Sequence, residues 1–181
     1  DTFFSTYVKR WTGDEWQQLG SNLNTKPSRL AGIPSIGLDK TDQPIIAWVE
    51  GDGFRDHVYV KRWDGVAWVQ LGTTVDAATS ESGSYPSMVI DGFGNPVVAL
   101  TETVGENKNV YVKRWNGTTW VQLGSALDVD ISRGAFTPAL GMDTSGNLFV
   151  AWEEDYDVIE DIYVKRWNGT SWQQLGGALD V

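Results

Sequence analysis

Six acids stand within nine residues in Glu153-Glu-Asp-Tyr-Asp-Val-Ile-Glu-Asp161, the densest set of oxygen ligands in the chain. Glu153, Glu154, Asp155 and Asp157 are the candidates for holding a divalent cation such as calcium, which takes roughly six to eight oxygens. The segment lacks the glycine of a tight calcium loop, so a solvated acidic loop is the expectation and the chemistry requires no cofactor. Asp39, Asp91 and Asp143 stand one to a turn. A single carboxylate is far from a calcium shell, and each is expected to cap its own turn through backbone N–H groups two residues on. His57 is the sole histidine, and no metal partners stand beside it, so it reads as an exposed loop residue. With no cysteine there is no thiol nucleophile, disulfide or thiolate zinc site. Phosphate-loop and nucleophile-elbow motifs are missing as well. Ten tryptophans remain. Trp11, Trp63, Trp115 and Trp167 could serve as platforms for sugar rings. The competing reading is packing in the interior.

The tryptophans belong to a repeat. Tyr-Val-Lys-Arg-Trp occurs at 7–11, 59–63, 111–115 and 163–167, at intervals of 52 residues, and Trp-x-Gln-Leu-Gly follows in step from Trp16, Trp68, Trp120 and Trp172. Pro34, Pro86 and Pro138 open short runs that end at Asp39, Asp91 and Asp143. The runs Ile45–Glu50, Val97–Glu102 and Phe149–Glu154 come next, with no insertion or deletion between units. Several short strands per unit at a period near 50 is the pattern of propeller blades.

Each unit reads as four strands: A at 34–39, B at 45–50, C at 58–63 and D at 68–72. The B runs are almost wholly apolar, as strands buried on both faces are. A four-residue C–D turn at 64–67 sets Trp63 opposite Trp68, an aromatic pair contributing about 0.5–1.5 kcal/mol beyond its burial. Tyr59, Lys61, Trp63, Trp68 and Gln70 then share one face. Pairing Glu50 with Val58 across the B–C loop puts Trp48 on the other face, diagonal to Arg62. This predicts a guanidinium stacked on indole, and makes Arg62, Arg114, Arg166, Trp16, Trp68, Trp120 and Trp172 structural.

Val-Tyr-Val-Lys-Arg-Trp-Asn-Gly-Thr-Thr-Trp-Val-Gln-Leu-Gly at 110–124 resembles the second half of a kelch-type blade, closed by an aromatic-turn-Trp hairpin. Asp-x-x-Gly-Asn-x-x-Val-Ala-Trp at 143–152 resembles the inner hairpin of bacterial secreted propellers. Trp48-Val-Glu50 stands where kelch blades carry a double glycine. The resemblance, to a kelch-like bacterial β-propeller repeat array, covers all 181 residues. It implies an all-β array of four-stranded antiparallel blades and an extracellular or cell-surface location.

Residues 1–20 supply strands C and D only, a half-blade, followed by blades at 34–72, 86–124 and 138–176. Closed propellers use about four to eight blades. Apolar blade faces would be open at both ends, so self-association, or further blades of a longer chain, is expected. The net charge of −10 argues against nucleic acid. No apolar run approaches the roughly 18 residues of a membrane span. With the frame constant and the loops variable, the function expected is non-enzymatic binding or scaffolding, with a glycan or protein as ligand. A self-assembling structural unit and a fragment of a propeller glycosidase or lyase are the alternatives.

Overall fold

The structure, a computed structural model, describes residues 4–76, 82–156 and 159–179. Its strands are all antiparallel, and no helix occurs among these residues. A two-stranded sheet pairs β1 (Lys9–Trp11) with β2 (Trp16–Gln18). Three four-stranded sheets follow, each pairing in chain order. The first holds β3 (Ala31–Leu38), β4 (Pro44–Gly51), β5 (Asp56–Trp63) and β6 (Trp68–Gln70). The second holds β7 (Gly83–Ile90), β8 (Pro96–Val104), β9 (Asn107–Trp115) and β10 (Trp120–Gln122). The third holds β11 (Ala135–Met142), β12 (Leu148–Tyr156), β13 (Ile159–Trp167) and β14 (Trp172–Gln174). This is a propeller-type array of blades.

The B strands are apolar throughout because both of their faces are interior. Ile46 and Trp48 of β4 pack toward the half-blade with Val8, Leu19 and Leu23, while Ile45, Ala47 and Val49 pack toward the next blade with Val98 and Leu100. Successive side chains on a strand point to opposite faces, so one strand serves two cores. The A strands begin before their prolines, with a bulge between Gly32 and Ser35 and its equivalents at Ser84/Ser87 and Phe136/Ala139. The bulge forces positive φ on Ile33, Tyr85 and Thr137 (51°, 50° and 43°). Such backbone strain is uncommon outside glycine and persists only where the surrounding structure imposes it. The Ser35 hydroxyl accepts a hydrogen bond from Met88 N (3.0 Å), and Ser87 does the same for Leu140 N (2.9 Å), tying each A strand to the next.

Trp63 lies opposite Trp68, with ring centroids 5.3 Å apart, and the other three hairpins repeat the pair at 5.2–5.6 Å. The B–C register differs from the sequence expectation by one residue. Glu50 pairs with His57 rather than Val58, so Trp48 lies opposite Tyr59. The cation over the Trp48 ring is therefore Lys61 Nζ, 5.4 Å from the centroid, and not Arg62. Lys165 covers Trp152 in the same way at 5.3 Å, while Arg166 lies over Phe149 at 5.7 Å.

The Lys-Arg pair clamps blades in both directions, because neighbours on a strand face opposite ways. Lys61 and Lys113 donate to the carbonyls of Leu23 (2.8 Å) and Val75 (2.9 Å) behind them, and Lys165 donates to Leu127. Arg10 and Arg62 donate forward, to Asp42 O (3.2 Å) and Gly94 O (2.7 Å) in the next blade's A–B turn. Arg62 Nε also lies 3.9 Å from Asp39, and Arg114 Nε 3.6 Å from Asp91.

The glycine of Trp-x-Gln-Leu-Gly seats the following blade. Gly72 has φ +73°, and a Cβ there would come within 3.1 Å of Trp115 and 3.3 Å of Trp120. Next to it, the indole N–H of Trp120 donates to Leu71 O (2.9 Å), as Trp68 does to Leu19 O (2.8 Å) and Trp172 to Leu123 O (2.7 Å).

Candidate functional site

The loops between blades meet the B–C hairpins at one end of the array, and buried glutamates hold them there. Glu50, Glu102 and Glu154, the last residue of each B run, are fully buried. Glu50 accepts from Thr25 N (2.7 Å), Lys26 N (3.1 Å), the Thr25 hydroxyl and Trp48 Nε1 (3.3 Å). Glu154 accepts from Val129 N, Asp130 N (3.2 Å) and Trp152 Nε1 (2.9 Å). Where Leu100 replaces the tryptophan, Glu102 pairs with the buried Lys113 instead. A buried carboxylate is tolerated only with such donors.

That role removes Glu154 from the acidic candidates. Glu153 and Asp155 lie on the opposite strand face from Glu154, so the three cannot converge on one cation. The expected acidic loop is mostly strand, with Glu153, Glu154 and Asp155 paired to Ile162, Asp161 and Glu160. Asp157 lies outside the described residues. Among the described residues no cluster of three or more acids and histidines is placed to hold a metal.

The turn aspartates act as caps. Asp39 Oδ1 accepts from Thr41 N (2.8 Å) and Gln43 N (3.1 Å), Asp91 Oδ1 from Phe93 N and Asn95 N (both 2.9 Å), and Asp143 Oδ1 from Ser145 N and Asn147 N (both 2.9 Å). The Asn147 side chain and backbone N–H hold the Asp143 carboxyl below the usual value of 3.8.

Trp63 and Trp115, proposed above as sugar platforms, are 8% and 7% exposed and packed between blades, and Trp167 is half-buried. Only Trp11 of the four is open, at 51%.

The same end of the first complete blade carries residues that break the repeat. His57 is buried, contrary to the exposed position expected. Its Nδ1 is 2.8 Å from Asp76 Oδ2 and its Nε2 is 3.6 Å from Asp52 Oδ2, and Asp76 Oδ1 accepts from Val58 N (3.0 Å). Asn109 and Asp161 stand at its position in the other units. Asp52 caps the four-residue hairpin turn through Phe54 N (2.8 Å) and Arg55 N (2.9 Å). These two bonds lower its pKa. The turn lifts Phe54 to 97% exposure. Beside it opens a cleft of about 630 Å³ lined by Lys26, Arg29, Asp52, Phe54, Arg55 and Ser82, from two adjoining loops and the edge of the next blade. Glu106 and Asn107 replace Phe54 and Arg55 one unit on, and Ala78 replaces Lys26. Sequence reasoning missed this cleft. Its signal was there, in departures from the 52-residue pattern that cluster at 26, 54, 55 and 57.

Fold and cleft together define a β-propeller-type array with a polar, aromatic-lipped groove at its loop end. No protein-family model and no curated protein sequence matches the chain. Among solved structures it is similar to a fucose lectin from Kordia zhangzhouensis in complex with methyl-fucoside, at 16% identity and TM-score 0.55, over 80% of this chain and 99% of the lectin. It is also similar to an endo-arabinase from Bacteroides thetaiotaomicron, at 12% identity and TM-score 0.55, over 88% of this chain and 64% of the enzyme. A glycosyl hydrolase from Bacteroides ovatus matches at 12% identity and TM-score 0.56, over 96% of this chain and 59% of the enzyme. The chain thus spans 64% and 59% of the two enzymes. At these identities the likeness is one of fold.

Proposed function

We propose that this chain is a non-enzymatic carbohydrate-binding module of a secreted or surface-exposed bacterial protein, kelch-like in its repeat. The saccharide is held in the cleft beside Phe54. The observation that carries the reading is that aromatic ring, almost wholly exposed at the mouth of a groove whose other walls supply polar groups. An apolar ring face against the C–H face of a sugar, with a few placed donors for its oxygens, is how concave sites combine area with orientation. Lys26, Arg29 and Arg55 bring cationic donors to the groove of a chain whose net charge is −10. These favour saccharides that present carboxylate or clustered hydroxyl oxygens. The fucose lectin among the fold neighbours supports the ligand class.

Binding on a glycan array that falls about tenfold or more in Phe54→Ala, roughly 1.4 kcal/mol or more, with unchanged circular dichroism, is the expected result. No glycan bound, together with a specific protein captured by the wild type and lost in Phe54→Ala, would move the site to a protein ligand.

A second reading is polysaccharide cleavage, and it rests on Asp128. Its Oδ1 is buried without a hydrogen-bond partner among the described residues, and burial pushes the carboxyl upward, the direction in which a general acid is tuned. Turnover on a polysaccharide panel that is lost in Asp128→Asn but kept in Phe54→Ala would favour it.

A further inference from the structure

Arg29 and Arg133 hold the same place in the repeat, two units apart, on the loops that lead into the first and third complete blades. Arg133 is neutralised by its own chain. Its Nη1 donates to Asp161 Oδ2 (2.9 Å), and its Nε lies 3.3 Å from Asp130 Oδ2. Both acids come from the arginine's own loop and own blade, and their counterparts in the first complete blade, positions 26 and 57, lie well inside the chain.

At those counterparts both acids are gone. Lys26 stands where Asp130 does, and His57 where Asp161 does, with its ring between Asp76 and Asp52. Arg29 keeps the place without the partners, and its half-buried side chain lines the cleft beside Phe54. The acids of that cleft are Asp52 and Asp56. Asp52 is taken up by Phe54 N, Arg55 N and His57. Among the described residues neither acid comes within ion-pairing distance of Arg29. In the second blade the three positions carry Ala78, Glu81 and Asn109, with no arginine.

We propose, resting on the reading of the cleft beside Phe54 as a saccharide site, that the sugar it takes is acidic, and that the carboxylate of a uronic acid unit supplies to Arg29 the anion that Asp130 and Asp161 supply to Arg133. A guanidinium presents paired N–H donors in one plane, which match a carboxylate in shape as well as charge and have no such match in a lone hydroxyl. Drawn partly out of water, it is stabilised by an anion, and here the chain withholds its own. Lys26, at the place of an aspartate, adds a second cation where the third blade has an acid. The change from acids to cations falls on the one loop that borders the exposed Phe54 ring, so charge and apolar contact are offered to the same ligand.

Calorimetric titration of the chain with oligomers of galacturonate, glucuronate and mannuronate, each beside its methyl ester, tests the assignment, because the ester removes the charge and keeps the sugar. A sulfated galactan oligomer provides the other anion. At least one uronate is expected to bind about tenfold or more tightly than its ester, at one site per chain. Arg29→Gln should bring that acid down to the affinity of its ester. Lys26→Asp, at an exposed position, should do the same by giving Arg29 the internal partner that Arg133 has. Phe54→Ala should weaken acid and ester alike. Equal binding of acid and ester, both lost in Phe54→Ala, would overturn the carboxylate and leave the saccharide site standing. An acid preference that survives both Arg29→Gln and Lys26→Asp, or binding confined to the sulfated oligomer, would overturn it in the same way. If no saccharide binds in any form, the saccharide reading falls and the carboxylate with it.

Discussion

A buried imidazole between two carboxylates is the most unusual residue-level feature of the molecule. His57 completes the hydrogen bonding of Asp76, whose side chain is fully buried and whose other oxygen accepts from Val58 N. Removing the ring leaves that oxygen without its donor, and an unsatisfied buried acceptor costs about 1–3 kcal/mol. His57→Ala is therefore expected to lower the unfolding free energy by about that amount in a urea titration. His57→Asn, which installs the residue found at position 109 and keeps an N–H donor, should recover a substantial part. Equal losses in the two variants would show that ring volume, not the hydrogen bond, is what matters there.

At the scale of the element, the joint between blades depends on the glycine that ends each D strand. Gly72→Ala places a methyl group within 3.1 Å of Trp115 at a positive φ, so it meets backbone strain and overpacking together. Gly65→Ala meets the strain alone, since at φ +100° nothing lies within 4 Å. The left-handed penalty is about 1–2 kcal/mol, and overpacking adds about 1–3 kcal/mol. Gly72→Ala should therefore melt several degrees below Gly65→Ala in calorimetry, with a fluorescence change reporting the displaced tryptophans. Coincident melting temperatures would mean that the neighbouring blade yields to the methyl.

Over the whole molecule, turn capping by carboxylates makes stability depend on acid. The Ser132 hydroxyl and N–H lower Asp130, the N–H groups of Ala67 and Val66 lower Asp64, and Asn147 lowers Asp143. A carboxyl whose folded pKa lies below its unfolded 3.8 contributes stability that is present above that value and lost as pH falls through the folded one. Asp128, raised by burial, has the opposite sign, and its contribution is lost as pH rises through its folded value. The melting temperature should thus vary little through the mildly acidic range and fall below about pH 4. Asn116 caps the same C–D turn through Thr118 N and Thr119 N, both at 2.9 Å. Asp64→Asn should accordingly keep the turn and remove its share of the acid slope. A slope unchanged in that variant would place the pH dependence elsewhere.

The sequence by itself determined the blade array, because a repeat without insertions leaves each strand one register in its hairpin wherever a fixed turn joins the pair. The Trp63–Trp68 pairing follows from the turn at 64–67, and the all-apolar B runs could be read as strands buried on both faces. Across the B–C hairpin that logic failed. Turn length there was free, and a one-residue difference in pairing carried Trp48 to the opposite face, changing its cation from Arg62 to Lys61. Tertiary structure alone decided which of the identical tryptophans are covered, since Trp11 and Trp63 differ only in having a blade behind them. It alone showed that Glu154 anchors a loop and that His57 lies between Asp52 and Asp76. The Glu154 and His57–Asp76 contacts reach onto the loops that join one blade to the next, and a period of 52 residues does not encode where those loops come to lie.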